Sequence, residues 1–117
     1  MQYLMMIYRN EREMAAMDGA AEKALVQEYA DFTKSIVQAG QLKAADRLKP
    51  TSTASTVRVR NGKVVITDGP FAETREQLGG YYLVEAKNLD EALAIAARIP
   101  GAKQGSIEVR PIWTAAG

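Results

Sequence analysis

Residues able to do chemistry gather between Asp68 and Glu85, in the run D-G-P-F-A-E-T-R-E-Q-L-G-G-Y-Y-L-V-E. Asp68 is the catalytic candidate. A carboxylate serves as a base near neutral pH when burial or a second carboxylate raises its pKa, and Glu73 and Glu76 are near enough in sequence to supply one. The competing role is architectural. An Asp opening a turn accepts hydrogen bonds from the backbone N–H groups ahead of it, and Asp68-Gly69-Pro70 suits that. Arg58, Arg60 and Arg75 could clamp an anion, because a guanidinium binds a carboxylate through two parallel hydrogen bonds. The plainer alternative is a solvated face with local ion pairs to Glu73 or Glu76, each worth about 0–1 kcal/mol. Tyr8, Tyr81 and Tyr82 place phenols on strands, where they would orient or protonate a substrate oxygen, or simply pack an interface. The ligand-binding set expected from this region is Tyr8, Arg58, Gly69, Pro70, Phe71, Glu73, Arg75, Glu76 and Tyr81.

Two absences narrow the chemistry: the chain has no Cys and no His. Without Cys there is no disulfide, thiol nucleophile or thiolate metal site. Without His there is no imidazole base, no Ser-His-Asp triad, no His-ligated zinc and no proximal-His haem. Catalysis would rest on carboxylates, Lys, Tyr, Ser, Thr, Arg or backbone dipoles, and no metal or cofactor is expected. Gly79-Gly80 lacks the G-x-x-x-x-G-K-[ST] pattern of a phosphate loop and opens no helix. It reads as a bulge or a close approach at a strand start.

The elements that must position these residues follow from periodicity. Tyr3–Tyr8 is a strand with apolar residues on both faces, hence central and expected to be covered twice. Asn10–Gly19 is polar, with room for one short helical turn. Between about Ala21 and Ala39, Leu25, Tyr29, Phe32 and Ile36 recur at helical spacing, and Gly40 stands where a helix stops. Leu42–Leu48 is a short extended segment. Thr56–Arg60 and Lys63–Thr67 flank Asn61-Gly62, the signature of a two-residue type I′ hairpin. That register pairs Arg60 with Lys63 and Val59 with Val64, putting Val57, Val59, Val64 and Ile66 on one face. Asp68-Gly69-Pro70 must be irregular, since Pro70 keeps Gly69 out of the helical region. The Ala72–Leu78 connection, long and charged, is left open between loop and helical turn. Gly79–Glu85 is a second two-sided strand. Asn88 caps a helix with Glu91, and Leu89, Ala92, Leu93, Ala96 and Ile99 are expected on its packing side before Pro100-Gly101. Ser106–Ile112 alternates as a strand with one buried face.

The order strand, helix, strand, hairpin, strand, helix, strand predicts an α+β, ferredoxin-like fold. Two helices would cover one face of an antiparallel sheet, with the hairpin inserted. Two helices cannot cover both faces of the apolar strands, which argues for a homodimer. At 117 residues the chain makes a single domain, residues 1–117. Its 47% apolar and 25% charged residues are average for a globular protein. The net charge is +1 and the basic residues are scattered, so no nucleic-acid partner is expected. The RRM-type basic-aromatic string is missing as well. No run approaches the ~18 apolar residues of a membrane span. Met1–Tyr8 lacks a basic leader and a cleavage site, so a cytoplasmic protein is expected.

The opening Tyr-rich strand, V-R-V-R-N-G-K-V, the D-G-P-F-A-E-T-R-E-Q-L-G-G-Y-Y run and the closing V-R-P resemble DGPF-motif proteins of the YCII-related family. The resemblance implies a dimeric α/β barrel-like assembly of ferredoxin-like subunits with a cleft near the interface. It also implies a genetic link to extracytoplasmic-function sigma factors and an activity that is generally unassigned. Relatives proposed to be enzymes are thought to use a His with an Asp. That dyad cannot be carried over to a chain without His, and only Asp68 matches. The expectation is a dimer that binds a small organic molecule around the DGPF segment, with weak lyase or isomerase-type chemistry or none. The alternative is an accessory or regulatory module that binds a protein partner linked to a sigma factor. A hydrolase using paired carboxylates comes third.

Overall fold

The structure is a computed structural model and describes residues 1–114. β1 (Gln2–Arg9) leads through a short α1 (Glu11–Ala15) into the long α2 (Gly19–Gln38) and then β2 (Leu42–Arg47). A hairpin of β3 (Ser55–Arg60) and β4 (Lys63–Asp68) follows, then β5 (Gln77–Glu85), α3 (Leu89–Ala97) and β6 (Ser106–Pro111). The four-stranded sheet has the order β2-β5-β1-β6 with antiparallel neighbours, and the hairpin stands apart as its own two-stranded sheet. The main sheet is open and does not close on itself within the chain.

Local signals explain the boundaries. Asp18 caps α2 by accepting the Ala21 N–H at 2.7 Å. At the other end Gly40 takes φ +72°, while the Gly40 and Gln41 N–H groups reach back to Val37 and Ile36 at 3.0 and 2.9 Å. Those two bonds are a Schellman stop. Asn61 and Gly62 have φ +52° and +74°, as a type I′ turn requires, and Val59 faces Val64 as its spacing predicts. Gly79 is the extra residue of a bulge: Ile7 pairs with Gly80 and Tyr8 with Leu78. Gly80 is a close approach, since a Cβ there would lie 2.9 Å from the Asp46 carbonyl oxygen.

The core lies on the helix-covered face. Tyr3, Met5 and Ile7 of β1 and Tyr82 and Val84 of β5 pack against Phe32 and Ile36 of α2 and Ala92, Ile95 and Ala96 of α3. One expectation is corrected here. Leu89 and Leu93 are about half exposed, at 48% and 47%, and Ile95 takes the core place. The small Ala92 and Ala96 seat α3 close to the sheet, which turns the leucines to its flank. β1 is covered by this chain on one face only, as two helices on one side of the sheet require. Leu4, Met6 and Tyr8, with Tyr81 and Leu83 of β5, form a half-buried apolar stripe on the other face. The chain is also extended: its Cα radius of gyration is 16.4 Å, against about 13 Å for a compact chain of this length.

Candidate functional site

Asn10 turns the chain from β1 into α1, and its side chain does two jobs. Its Oδ1 accepts the Glu13 N–H at 3.0 Å, capping the helix, and its Nδ2 donates to the Arg75 carbonyl at 3.2 Å. Glu11 next to it ties three distant segments together. Its N–H donates to Gln77 Oε1 at 2.9 Å, while its carboxylate accepts the Thr51 N–H at 2.9 Å and the Thr51 hydroxyl at 2.5 Å. Gln77 in turn donates from Nε2 to the Thr74 carbonyl at 2.5 Å. The segment between β4 and β5 is therefore neither helix nor strand, yet it is pinned at its C-terminal end.

Between these segments runs an open groove of about 550 Å³. One wall is Asn10, Glu11 and Arg12, and another is Thr51 and Ser52. The rest is the segment itself, with Pro70, Glu73, Arg75 and Gln77 among its contributors. Two carboxylates and two guanidiniums line the groove, so its charges balance. A neighbouring depression of about 480 Å³ is lined by Glu13, Arg75, Glu76 and Gln104 together with Asn10. Glu76 Oε1 accepts the Ser106 hydroxyl there at 2.8 Å. No group of three or more His, Cys, Asp or Glu able to hold a metal occurs among the described residues.

Of the residues singled out from sequence, Pro70, Glu73 and Arg75 meet in the groove and Glu76 lies beside it. The others sit elsewhere. Asp68 ends β4 opposite Ser55, with an exposed side chain that lines neither depression. Gly69, at φ +100°, donates its N–H to the Ala54 carbonyl at 2.7 Å, and its own carbonyl accepts the Thr56 hydroxyl at 2.8 Å. Arg58 belongs to the hairpin opposite Val65. Phe71 is 78% exposed. Tyr8 and Tyr81 lie on the open face of the sheet. There the Tyr81 hydroxyl donates to Asp46 Oδ2 at 2.6 Å, which holds its pKa above the ordinary phenol value. Asn10, Glu11, Thr51 and Gln77 were not legible as site residues. Asn10 and Glu13 carry a capping pattern, but nothing local tells that Glu11 meets Thr51.

The sequence matches the YCII-related domain over residues 1–116. The chain belongs to the YCII-related family. An uncharacterized protein of Rhizobium meliloti (strain 1021) is 38% identical to it over 114 residues, covering 96% of this chain and 92% of that relative. In this YCII-related chain without His, three of the candidate residues, Pro70, Glu73 and Arg75, line the groove beside α1. Among the described residues no helix is long and apolar enough to cross a membrane.

Proposed function

We propose that this YCII-related protein is a homodimer that binds a small polar organic molecule in the groove between α1 and the segment before β5. In this reading it acts by binding, with any lyase- or isomerase-type turnover weak. The carrying observation is the Glu11 network, which holds three segments far apart in sequence around one groove. Such cross-linking of surface loops is what keeps a binding site in shape. The balanced lining of Glu11 and Glu73 against Arg12 and Arg75 suits a zwitterionic or carboxylate-bearing ligand. Openness to solvent and the absence of Asp68 from the lining argue against efficient acid–base catalysis.

The ferredoxin-like assignment belongs to the same reading. It is supported by the β-α-β-β-α-β order of the main sheet, with the hairpin as an insertion. The dimer is supported by the open sheet face, whose apolar centre of Leu4, Met6, Tyr8, Tyr81 and Leu83 is flanked by Asp46 and by the Glu108–Arg110 ion pair. An apolar centre inside a polar rim is the anatomy of a protein interface. One observation favours a second reading, an accessory or regulatory module that binds a protein partner linked to an extracytoplasmic-function sigma factor. Phe71, the last residue of the D-G-P-F motif, is 78% exposed and is an anchor without a pocket.

Titrating the labelled protein with a panel of small amino and carboxylic acids, and following backbone amide resonances, tests the main reading. Saturable shifts should appear at Asn10, Thr51 and Gln77 and disappear in Arg75→Ala. If no member of the panel moves these amides, the small-molecule reading is lost.

A further inference from the structure

Arg9 closes β1 with its side chain on the helix-covered face, in line with Tyr3, Met5 and Ile7, and is only 6% exposed. Its Nε and Nη1 are wholly enclosed and have no hydrogen-bond partner among the described residues. A guanidinium cannot shed its proton to escape burial, so enclosed N–H groups without acceptors are costly. No carboxylate among the described residues pairs with Arg9, and several nearby in sequence or on neighbouring elements have other partners. Glu28 pairs with Lys103 at 3.1 Å, Glu11 holds Thr51, and Glu76 holds Ser106.

A second hydrogen-bond donor stands near Arg9. Tyr29 of α2 accepts the Gly101 N–H on its hydroxyl oxygen at 3.1 Å, which leaves the O–H proton to be donated outward. Burial raises the Tyr29 pKa, against the lowering by the Gly101 N–H and, more weakly, by the Arg9 charge. Two glycines bring backbone against this pair. A Cβ at Gly101 would stand 2.6 Å from the Tyr29 hydroxyl, and one at Gly105 would stand 3.0 Å from Arg9 Cδ. The cluster is thus one enclosed guanidinium and a spare hydroxyl proton.

We propose that the Arg9 guanidinium, with the Tyr29 hydroxyl, forms a binding site for one compact oxyanion, a carboxylate or a phosphate group. Enclosure restricts the ligand to a group of few atoms and strengthens each charge-assisted hydrogen bond it makes. Neither Arg9 nor Tyr29 lines the groove beside α1, and the proposal does not depend on how that groove is used.

The test follows the Arg9 Nε–H resonance in wild-type protein, assigned by its loss in Arg9→Met, during titration with sodium phosphate, sodium acetate or sodium chloride at matched ionic strength. A saturable shift with phosphate, acetate or both, and none with chloride, is expected; which oxyanion acts tells a phosphate-bearing from a carboxylate-bearing ligand. Tyr29→Phe should weaken that binding by about tenfold. Arg9→Met should lose the oxyanion-dependent rise in melting temperature while keeping the wild-type oligomeric mass. Absence of a saturable wild-type shift overturns the proposal, as does an Arg9→Met protein that responds to oxyanions as wild type does. An Arg9→Met protein that folds but changes oligomeric mass also overturns it, because a carboxylate from a second copy would then be the partner. Should Arg9→Met fail to fold, the wild-type titration and Tyr29→Phe still decide.

Discussion

Glu11 joins the start of α1 to Thr51 through both oxygens of one carboxylate, and to Gln77 through its backbone N–H. Removing the carboxylate leaves a half-buried Thr51 N–H without an acceptor, and an orphaned donor costs more than the bond it loses. Glu11→Ala is therefore expected to cost about 1–3 kcal/mol in urea denaturation. Glu11→Gln keeps one acceptor oxygen and should cost less than half as much. Equal losses for the two variants would mean that packing of the side chain, and not its oxygens, holds the segments together. Asp68 stands in contrast. The first residue of the D-G-P-F run is exposed at the end of β4, while Glu73 and Arg75 further along the run reach the groove.

At the scale of elements, the hairpin is the part whose sequence and structure agree most closely. Turn chemistry at Asn61-Gly62 and alternation of the valines each dictate the same register, and that register is observed. Gly62→Val places a β-branched residue at φ +74° and should destabilise the hairpin by about 1–3 kcal/mol. Faster hydrogen exchange at the Val59 and Arg60 amides, with the β1 amides unchanged, is the expected readout. Unaltered exchange in the hairpin would contradict the strained turn. Elements defined by local rules were legible in this way: the Gly40 stop of α2, the Asn88 cap of α3 and the Gly79 bulge. What stayed hidden depends on distance. The periodicity of α3 admits two overlapping stripes, and only the sheet against it decides that Ile95 is buried and Leu93 is not. The groove was half legible for the same reason, since Glu73 and Arg75 announce themselves by charge while Thr51 meets Glu11 across forty residues.

For the molecule as a whole, the question is why a chain of this length spreads to a radius of gyration of 16.4 Å. Two apolar surfaces are left unsatisfied. One is the open sheet face; the other is the hairpin, where Val57, Val59, Val64 and Ile66 are 59–67% exposed. A two-stranded hairpin with no surface behind it is marginal in water. Both features make sense if the folded unit is larger than one chain. A two-fold axis presents the same patch on each copy, so a single self-complementary stripe suffices to cover both sheets. Light scattering is expected to give twice the 12.8 kDa chain mass at micromolar concentration, with an interface above ~1,000 Å². Met6→Glu places a carboxylate in the middle of the stripe, next to Tyr81 across the β1–β5 ladder. Its two-fold mate would bring a second charge to the same desolvated centre. The variant should shift to monomer and lose stability at low concentration, because burying unpaired like charges costs several kcal/mol. A wild-type mass of 12.8 kDa under the same conditions would rule out the dimer. A Met6→Glu protein that stays dimeric would instead move the interface off the sheet and onto the hairpin, where Val59→Glu is the corresponding probe.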